Sequence, residues 1–140
     1  MLAAAVKALK GAGLAVEAVS PWLASAPLGP SLRRYANGAA LVRSPLDPPG
    51  LLAMLKRIER AFGRRARGQR WASRVLDLDI VLWSGGAWAS PALTIPHIAM
   101  RERSFVLRPA LALCPDWRDP LTGQTLRHLH ARLTRPRPLP

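Results

Sequence analysis

Arg70-Trp71-Ala72-Ser73-Arg74-Val75-Leu76-Asp77-Leu78-Asp79-Ile80-Val81-Leu82-Trp83 is the stretch on which the fold turns. From Val75 to Val81 every residue except the two aspartates is β-branched or leucine, which predicts a strand. In a strand, residues i and i+2 share a face. Asp77 and Asp79 then stand side by side, with Cα atoms roughly 7 Å apart by strand rise. Leu76, Leu78 and Ile80 point the other way, into a core.

Two carboxylates on one face repel unless something positive lies between them. The plainer reading is a half-exposed strand with an acidic outer face. The surroundings favour a second one. The chain has eight acids against 21 Lys and Arg, yet two acids are paired here. Just upstream lie Lys56, Arg57, Arg60, Arg64, Arg65, Arg67, Arg70 and Arg74. Paired carboxylates suit Mg²⁺, which keeps several waters and shares its shell with substrate phosphates. Arginines suit the same phosphates as bidentate donors. A metal–polyphosphate site accounts for both halves of the pattern.

The 140 residues suffice for one domain with one core, and 49% hydrophobic content marks a globular chain. A net charge of +13 invites a polyanion, whether nucleic acid, a membrane surface or a phosphorylated small molecule. The single Cys114 excludes an internal disulfide. No apolar run approaches the ~20 residues of a membrane span. The alanine-rich start, with Lys7 and Lys10, lacks the order of a signal peptide, so a cytoplasmic location is expected.

Working outward, Met1 to Lys10 reads as a helix ended by Gly11 and Gly13. Leu14 to Ala26 reads as an edge-like strand with Pro21 at a bulge or an unpaired N–H. Pro27-Leu28-Gly29-Pro30 forms a stiff loop, and Tyr35 to Arg43 a second strand pairing with the first as a hairpin. Asp47-Pro48-Pro49 opens a helix, with an aspartate cap and prolines where no N–H is missed. Leu51, Leu52, Leu55, Ile58 and Phe62 follow at helical spacing, and Gly63 is expected to stop it. Lys56, Glu59 and Arg60 share another face, where Glu59 alone is acidic; a solvated ion pair is the simple reading. Residues 63 to 70 form a basic loop. Ser84-Gly85-Gly86 turns the chain toward a short strand at Ala87 to Ser90. Phe105 to Leu113 suggests a short helix despite Pro109, and Gln124 to Leu133 a last one. One domain over 1–133 and a flexible tail over 134–140 are expected. With one strand placed in front, the order becomes βαββαβ, an α+β ferredoxin-like arrangement whose first strand is missing from this chain.

These residues resemble the 6-hydroxymethyl-7,8-dihydropterin pyrophosphokinase family, from the first helix to about Pro115. The likeness rests on Pro27-Leu28-Gly29, Tyr35 with Asn37, Ile58-Glu59 before Gly63-Arg64, and Arg70-Trp71 with Arg74. It continues in Leu76-Asp77-Leu78-Asp79-Ile80, Pro96-His97, and Arg103 with Phe105-Val106-Leu107. The resemblance implies transfer of the β,γ-diphosphate of ATP to the pterin hydroxymethyl oxygen, releasing AMP. It implies that Asp77 and Asp79 hold two Mg²⁺ ions and that Arg64, Arg74 and Arg103 neutralise phosphate charge. His97 would donate to a phosphate oxygen, Glu59 face the nucleotide side, and Trp71 belong to a loop closing over the site. Asn37 would read the pterin edge, with Tyr35 and Phe105 sandwiching its ring. ATP and the pterin are the implied partners, with no membrane and a monomeric chain. The residues alone also allow Tyr35 and Phe105 as core aromatics and His97 as a tie within a turn.

The chain departs from the family in four places. The family opens with a strand and a Gly-Ser-Asn turn, whereas Met1 lies inside the first helix; either the start codon lies upstream, or the fold is compromised, or a partner supplies the edge, and the first is expected. The usual Gly-Pro is Ala72-Ser73, the tyrosine that often follows Pro-His is Ile98, and a frequent arginine is Ala92. Two other classes stay open. A nucleic-acid-binding module is suggested by the charge and five tryptophans, although the acidic pair would repel a phosphate backbone. A truncated relative that binds pterin or nucleotide without turnover is the other.

Overall fold

The computed structural model describes residues 2–25, 35–66 and 76–136. Helix α1 (Leu2–Gly11) leads into strands β1 (Ala15–Val19) and β2 (Leu23–Ser25), then β3 (Tyr35–Asn37) and β4 (Ala40–Arg43). Helix α2 (Pro48–Ala66), the hairpin β5 (Trp88–Ser90) and β6 (Leu93–Ile95), α3 (Ser104–Leu113) and α4 (Leu126–Thr134) follow. The protein is α+β, with short antiparallel strand pairs and four helices among the described residues.

The antiparallel pairing expected of the hairpin is present but interrupted, and its connection across residues 27–34 lies outside the described residues. β1 pairs with β4 and β2 with β3, both antiparallel. Between the two ladders the Ser20 N–H donates to Ala39 O, and the Ala39 N–H donates to Ser20 Oγ at 2.9 Å. Pro21 lacks an N–H for a ladder, and the Trp22 ring covers Gly38, where a Cβ would lie 2.2 Å from ring carbons. One long strand on each side therefore becomes two short ones. A further irregularity falls at Glu17, which is bulged out of β1 and whose carboxylate accepts from Arg43 Nε at 2.8 Å.

α2 starts where its cap predicts, with Asp47 Oδ1 accepting the Gly50 N–H at 2.8 Å. It does not stop at Gly63. The helix runs on to Ala66, so residues 63–66 of the expected basic loop are helical, and the rest of that loop lies outside the described residues. A glycine inside a helix costs only about 1 kcal/mol, and Arg64, Arg65 and Ala66 are good helix formers. The arginines at 67, 70 and 74 lie outside the described residues.

Two apolar clusters hold the chain. Ala5 and Leu9 of α1, Leu14, Leu55 and Ile58 of α2, and Leu76 form the first. Met100, with Leu107 and Ala110 of α3 and Leu126 and Leu129 of α4, forms the second. Leu107, Leu126 and Met100 are fully buried, each contributing about 1.5–3 kcal/mol by apolar burial. α3 continues past Pro109 to Leu113, with that proline itself buried. α4 begins at Leu126, two residues later than Gln124, because Thr125 Oγ1 accepts the His128 N–H as its cap.

The segment from Leu76 to Leu82 joins the clusters. Leu78 and Ile80 pack with buried Leu76 on the first, Val81 and Leu82 on the second. The alternation expected of a strand is therefore realised in side-chain burial. The ladder is not: among the described residues this segment belongs to no strand pair, a correction to the expectation for 75–81. A strand needs a neighbour to exchange hydrogen bonds, and the backbone groups seen here bond elsewhere. The Leu78 N–H donates to the Glu59 carboxylate, and Val81 O accepts from the His97 N–H.

Candidate active site

Asp77 and Asp79 project from the side of this segment opposite the core, and both are exposed. Burial, followed by the nearby charges of Glu59 and Asp79, pushes the Asp77 carboxyl above its ordinary range, while Lys56 partly offsets them. Negative charges crowded around Asp77 in this way form a place where a cation is favourable.

Glu59 sits on α2 behind the pair. Its Oε1 accepts the Leu78 N–H at 2.6 Å, and both oxygens receive Lys56 Nζ, at 3.3 and 3.2 Å. The simple ion pair read from sequence is present, and a backbone bond to the aspartate segment is added to it.

His97 approaches from the other side, delivered by β6. Its N–H donates to Val81 O at 2.9 Å, which ties it to the aspartate segment. Its Nδ1 accepts the Ala99 N–H at 3.0 Å, so the ring proton resides on Nε2. That nitrogen faces Asp79 Oδ2 at 3.7 Å. His97 therefore ties its turn and also reaches the acidic pair, joining two roles that the sequence reading kept apart.

The turn continues through Met100 N–H to His97 O and Arg103 N–H to Ala99 O, ending at Arg103, the residue preceding α3. The Arg103 guanidinium lies 5.7 Å from the Phe105 ring centre, a cation–π contact. α3 lies against β2, β3 and β4, so the helix bearing Phe105 neighbours the strand that carries Tyr35 and Asn37. The Asn37 backbone pairs with Leu23. Trp71 and Arg74 lie outside the described residues, as do the side chains of Tyr35 and Arg64. Thus Asp77, Asp79, Glu59 and His97 come together, and Arg103 and Phe105 form a second pair at the end of the His97 turn.

One pair escaped the sequence reading. Arg101, in the same turn, forms a fork with Asp119, a fully buried carboxylate. The signal was in the turn-forming run Asp119-Pro120-Leu121-Thr122-Gly123.

Among the described residues no group of three or more His, Cys, Asp and Glu is arranged to hold a metal. The donor set nonetheless fits Mg²⁺, which needs only one or two carboxylates when phosphates and water complete its shell.

Comparison with known families decides the assignment. Residues 1–115 match the model of 7,8-dihydro-6-hydroxymethylpterin-pyrophosphokinase. The chain belongs to this family. It is 42% identical over 118 residues to the 2-amino-4-hydroxy-6-hydroxymethyldihydropteridine pyrophosphokinase of Synechocystis, covering 84% of this chain and 60% of that one. The Pseudomonas aeruginosa protein of the same name is 45% identical over 104 residues, 74% of this chain and 64% of the relative. That of Methylorubrum extorquens is 36% identical over 135 residues, 95% and 84% respectively. The chain thus spans under two thirds of the length of the first two pyrophosphokinases. Among the described residues, no helix is long and apolar enough to cross a membrane.

Proposed function

We propose that the protein is an ATP-dependent diphosphotransferase acting on 6-hydroxymethyl-7,8-dihydropterin in folate biosynthesis. The hydroxymethyl oxygen attacks the β-phosphorus of ATP, the bond between the α- and β-phosphates breaks, AMP leaves and the hydroxyl proton is released. The observation that carries the reading is the exposed Asp77–Asp79 pair, with His97 Nε2 at 3.7 Å from Asp79, in a chain of this family.

The residues divide the work. Asp77 and Asp79 hold two Mg²⁺ ions, which screen the charge of the polyphosphate. The Nε2–H of His97 donates to a phosphate oxygen, and Arg64, Arg74 and Arg103 neutralise the rest of the charge. Glu59 holds the aspartate segment from behind, on the nucleotide side. Asn37 reads the pterin edge between the rings of Tyr35 and Phe105, and Trp71 contributes to ATP binding. Transfer of this kind depends on positioning and charge stabilisation more than on covalent chemistry. A ferredoxin-like sheet, a cytoplasmic location and a monomeric state complete the proposal.

The test is AMP release from ATP with and without the pterin, in Mg²⁺ and in EDTA. AMP that requires both pterin and Mg²⁺ is the expected result. A folded protein that releases none refutes the transfer, and binding of pterin or nucleotide without AMP would identify a non-catalytic relative.

A further inference from the structure

The turn that carries His97 and ends at Arg103 has two anchors. Met100 is one, fully buried in the second cluster. Arg101 is the other. Its Nη2 donates to Asp119 Oδ1 at 2.8 Å and its Nε donates to Oδ2. Asp119 is wholly buried, whereas the Arg101 side chain stays 31% exposed. The carboxylate also accepts from the Leu121 N–H at 2.9 Å and from Thr122 Oγ1 at 3.0 Å. The aspartate is itself immobilised: its N–H donates to Gln124 O and its carbonyl accepts from Gly123 N–H, both at 2.8 Å. Arg118 and Thr125 bridge just outside it, and Leu126 N–H donates to Trp117 O at 2.9 Å. The acidic end of this fork therefore cannot follow Arg101, and Arg101 must follow it.

A buried, fully hydrogen-bonded carboxylate is a costly way to fasten a surface turn, and an apolar contact would often hold as well. What the fork adds is orientation, since two parallel bonds fix a guanidinium in angle as well as in place. Arg101 lies four residues after His97 and two before Arg103. It shares their turn, in which Ala99 O accepts from both Glu102 and Arg103 N–H groups. The fixed end, Asp119, lies beyond residue 115, where the family match stops.

We propose that Asp119 is a positioning residue acting through Arg101, holding the turn so that His97 Nε2 and the Arg103 guanidinium face the nucleotide phosphates. This rests on the diphosphotransfer proposed above. The segment after the family match thus contributes to the nucleotide side of the site without touching substrate.

The test compares wild type with Asp119→Asn and Arg101→Lys in two measurements. The first is the NMR signature of the His97 imidazole, assigned among three histidines by its loss in His97→Gln. The second is the pair of KM values for ATP and pterin in the AMP assay. In Asp119→Asn the His97 ring resonances shift, and the KM for ATP rises about tenfold, as expected for misplaced binding groups, while that for pterin keeps its wild-type value. Arg101→Lys, which keeps the charge and loses the fork, falls between. Unchanged His97 resonances in a folded variant, or KM values that rise together, would overturn the proposal. If Asp119→Asn does not fold, Arg101→Lys decides by both measurements. If the wild type releases no AMP, the diphosphotransfer fails instead, and the His97 resonances alone decide the positioning role.

Discussion

The Glu59 carboxylate accepts the backbone N–H of Leu78 at 2.6 Å, and Leu78 is the residue between Asp77 and Asp79. A side chain on α2 thereby supplies an acceptor of the kind that a neighbouring strand supplies in a sheet. It holds the centre of the acidic pair at a fixed height above the first cluster. The same carboxylate is one of the charges that raise Asp77, so fastening the segment and biasing its ionisation are a single arrangement.

Replacing Glu59 tests that arrangement. Glu59→Ala leaves the part-buried Leu78 N–H without its acceptor, which costs about 1–3 kcal/mol. A thermal midpoint several degrees lower is expected. Glu59→Gln retains an amide oxygen and should melt close to wild type, while the Asp77 carboxyl moves back toward its ordinary range by NMR titration. Equal melting of the Ala variant and wild type would show that the bond contributes nothing.

Asp77→Asn and Asp79→Asn should each lower turnover by about a hundredfold or more, as expected when charge stabilisation is removed from a transferring group. Both side chains are exposed, so circular dichroism and thermal midpoints should stay near wild type. Mg²⁺ titration of the variants should show weakened saturation. Wild-type rates in both would remove the metal site from the proposal.

How far the site could be read in advance depended on the kind of residue. The Asp77–Asp79 alternation survives because Leu76, Leu78 and Ile80 must bury, whatever the backbone pairs with. The cap at Asp47 and the extent of the apolar face of α2 were visible for the same local reasons. That residues 76–81 join no ladder among the described residues was not, since a strand is a property of two segments and periodicity reports only one. Gly63 misled because a single helix breaker is cheap once Leu55, Ile58 and Phe62 are packed. β6 is three residues long and precedes Pro96, too short for any period to register. The Arg101–Asp119 fork lies 18 residues apart in sequence, and nothing local distinguishes that arginine from its charged neighbours.

Acid should weaken the fold through Asp119. The Arg101 fork first of all, then the bonds from Leu121 and Thr122, outweigh burial and hold its carboxyl below the usual range. A depressed folded pKa means the unfolded chain binds its proton more readily, so this contribution is fully present above the unfolded value of about 3.9. It is lost as pH falls from there through the folded pKa. Asp77 has the opposite sign: its raised carboxyl disfavours the folded state while ionised, and protonation relieves this. Denaturant midpoints measured from pH 5 downward should fall in wild type and fall less in Asp119→Asn. Parallel curves for the two would exclude Asp119 as the source.

The two nitrogens of His97 can be tested apart. Nδ1 accepts the Ala99 N–H at 3.0 Å, and Nε2 faces Asp79 Oδ2 at 3.7 Å. An asparagine oxygen approximates the Nδ1 acceptor, whereas a glutamine amide reaches further and approximates the Nε2 donor. If the ring served only to tie its turn, His97→Asn would keep nucleotide affinity and His97→Gln would lose it. The phosphate-donor role requires the reverse order. A lost charge-assisted hydrogen bond to phosphate corresponds to about 1.5–3 kcal/mol, or roughly tenfold to a hundredfold in affinity. Binding of a non-hydrolysable ATP analogue with Mg²⁺ should therefore weaken by that factor in His97→Asn and by less in His97→Gln, both proteins remaining folded. An Asn variant that binds as tightly as wild type would reduce His97 to a turn residue and leave the phosphates to the arginines.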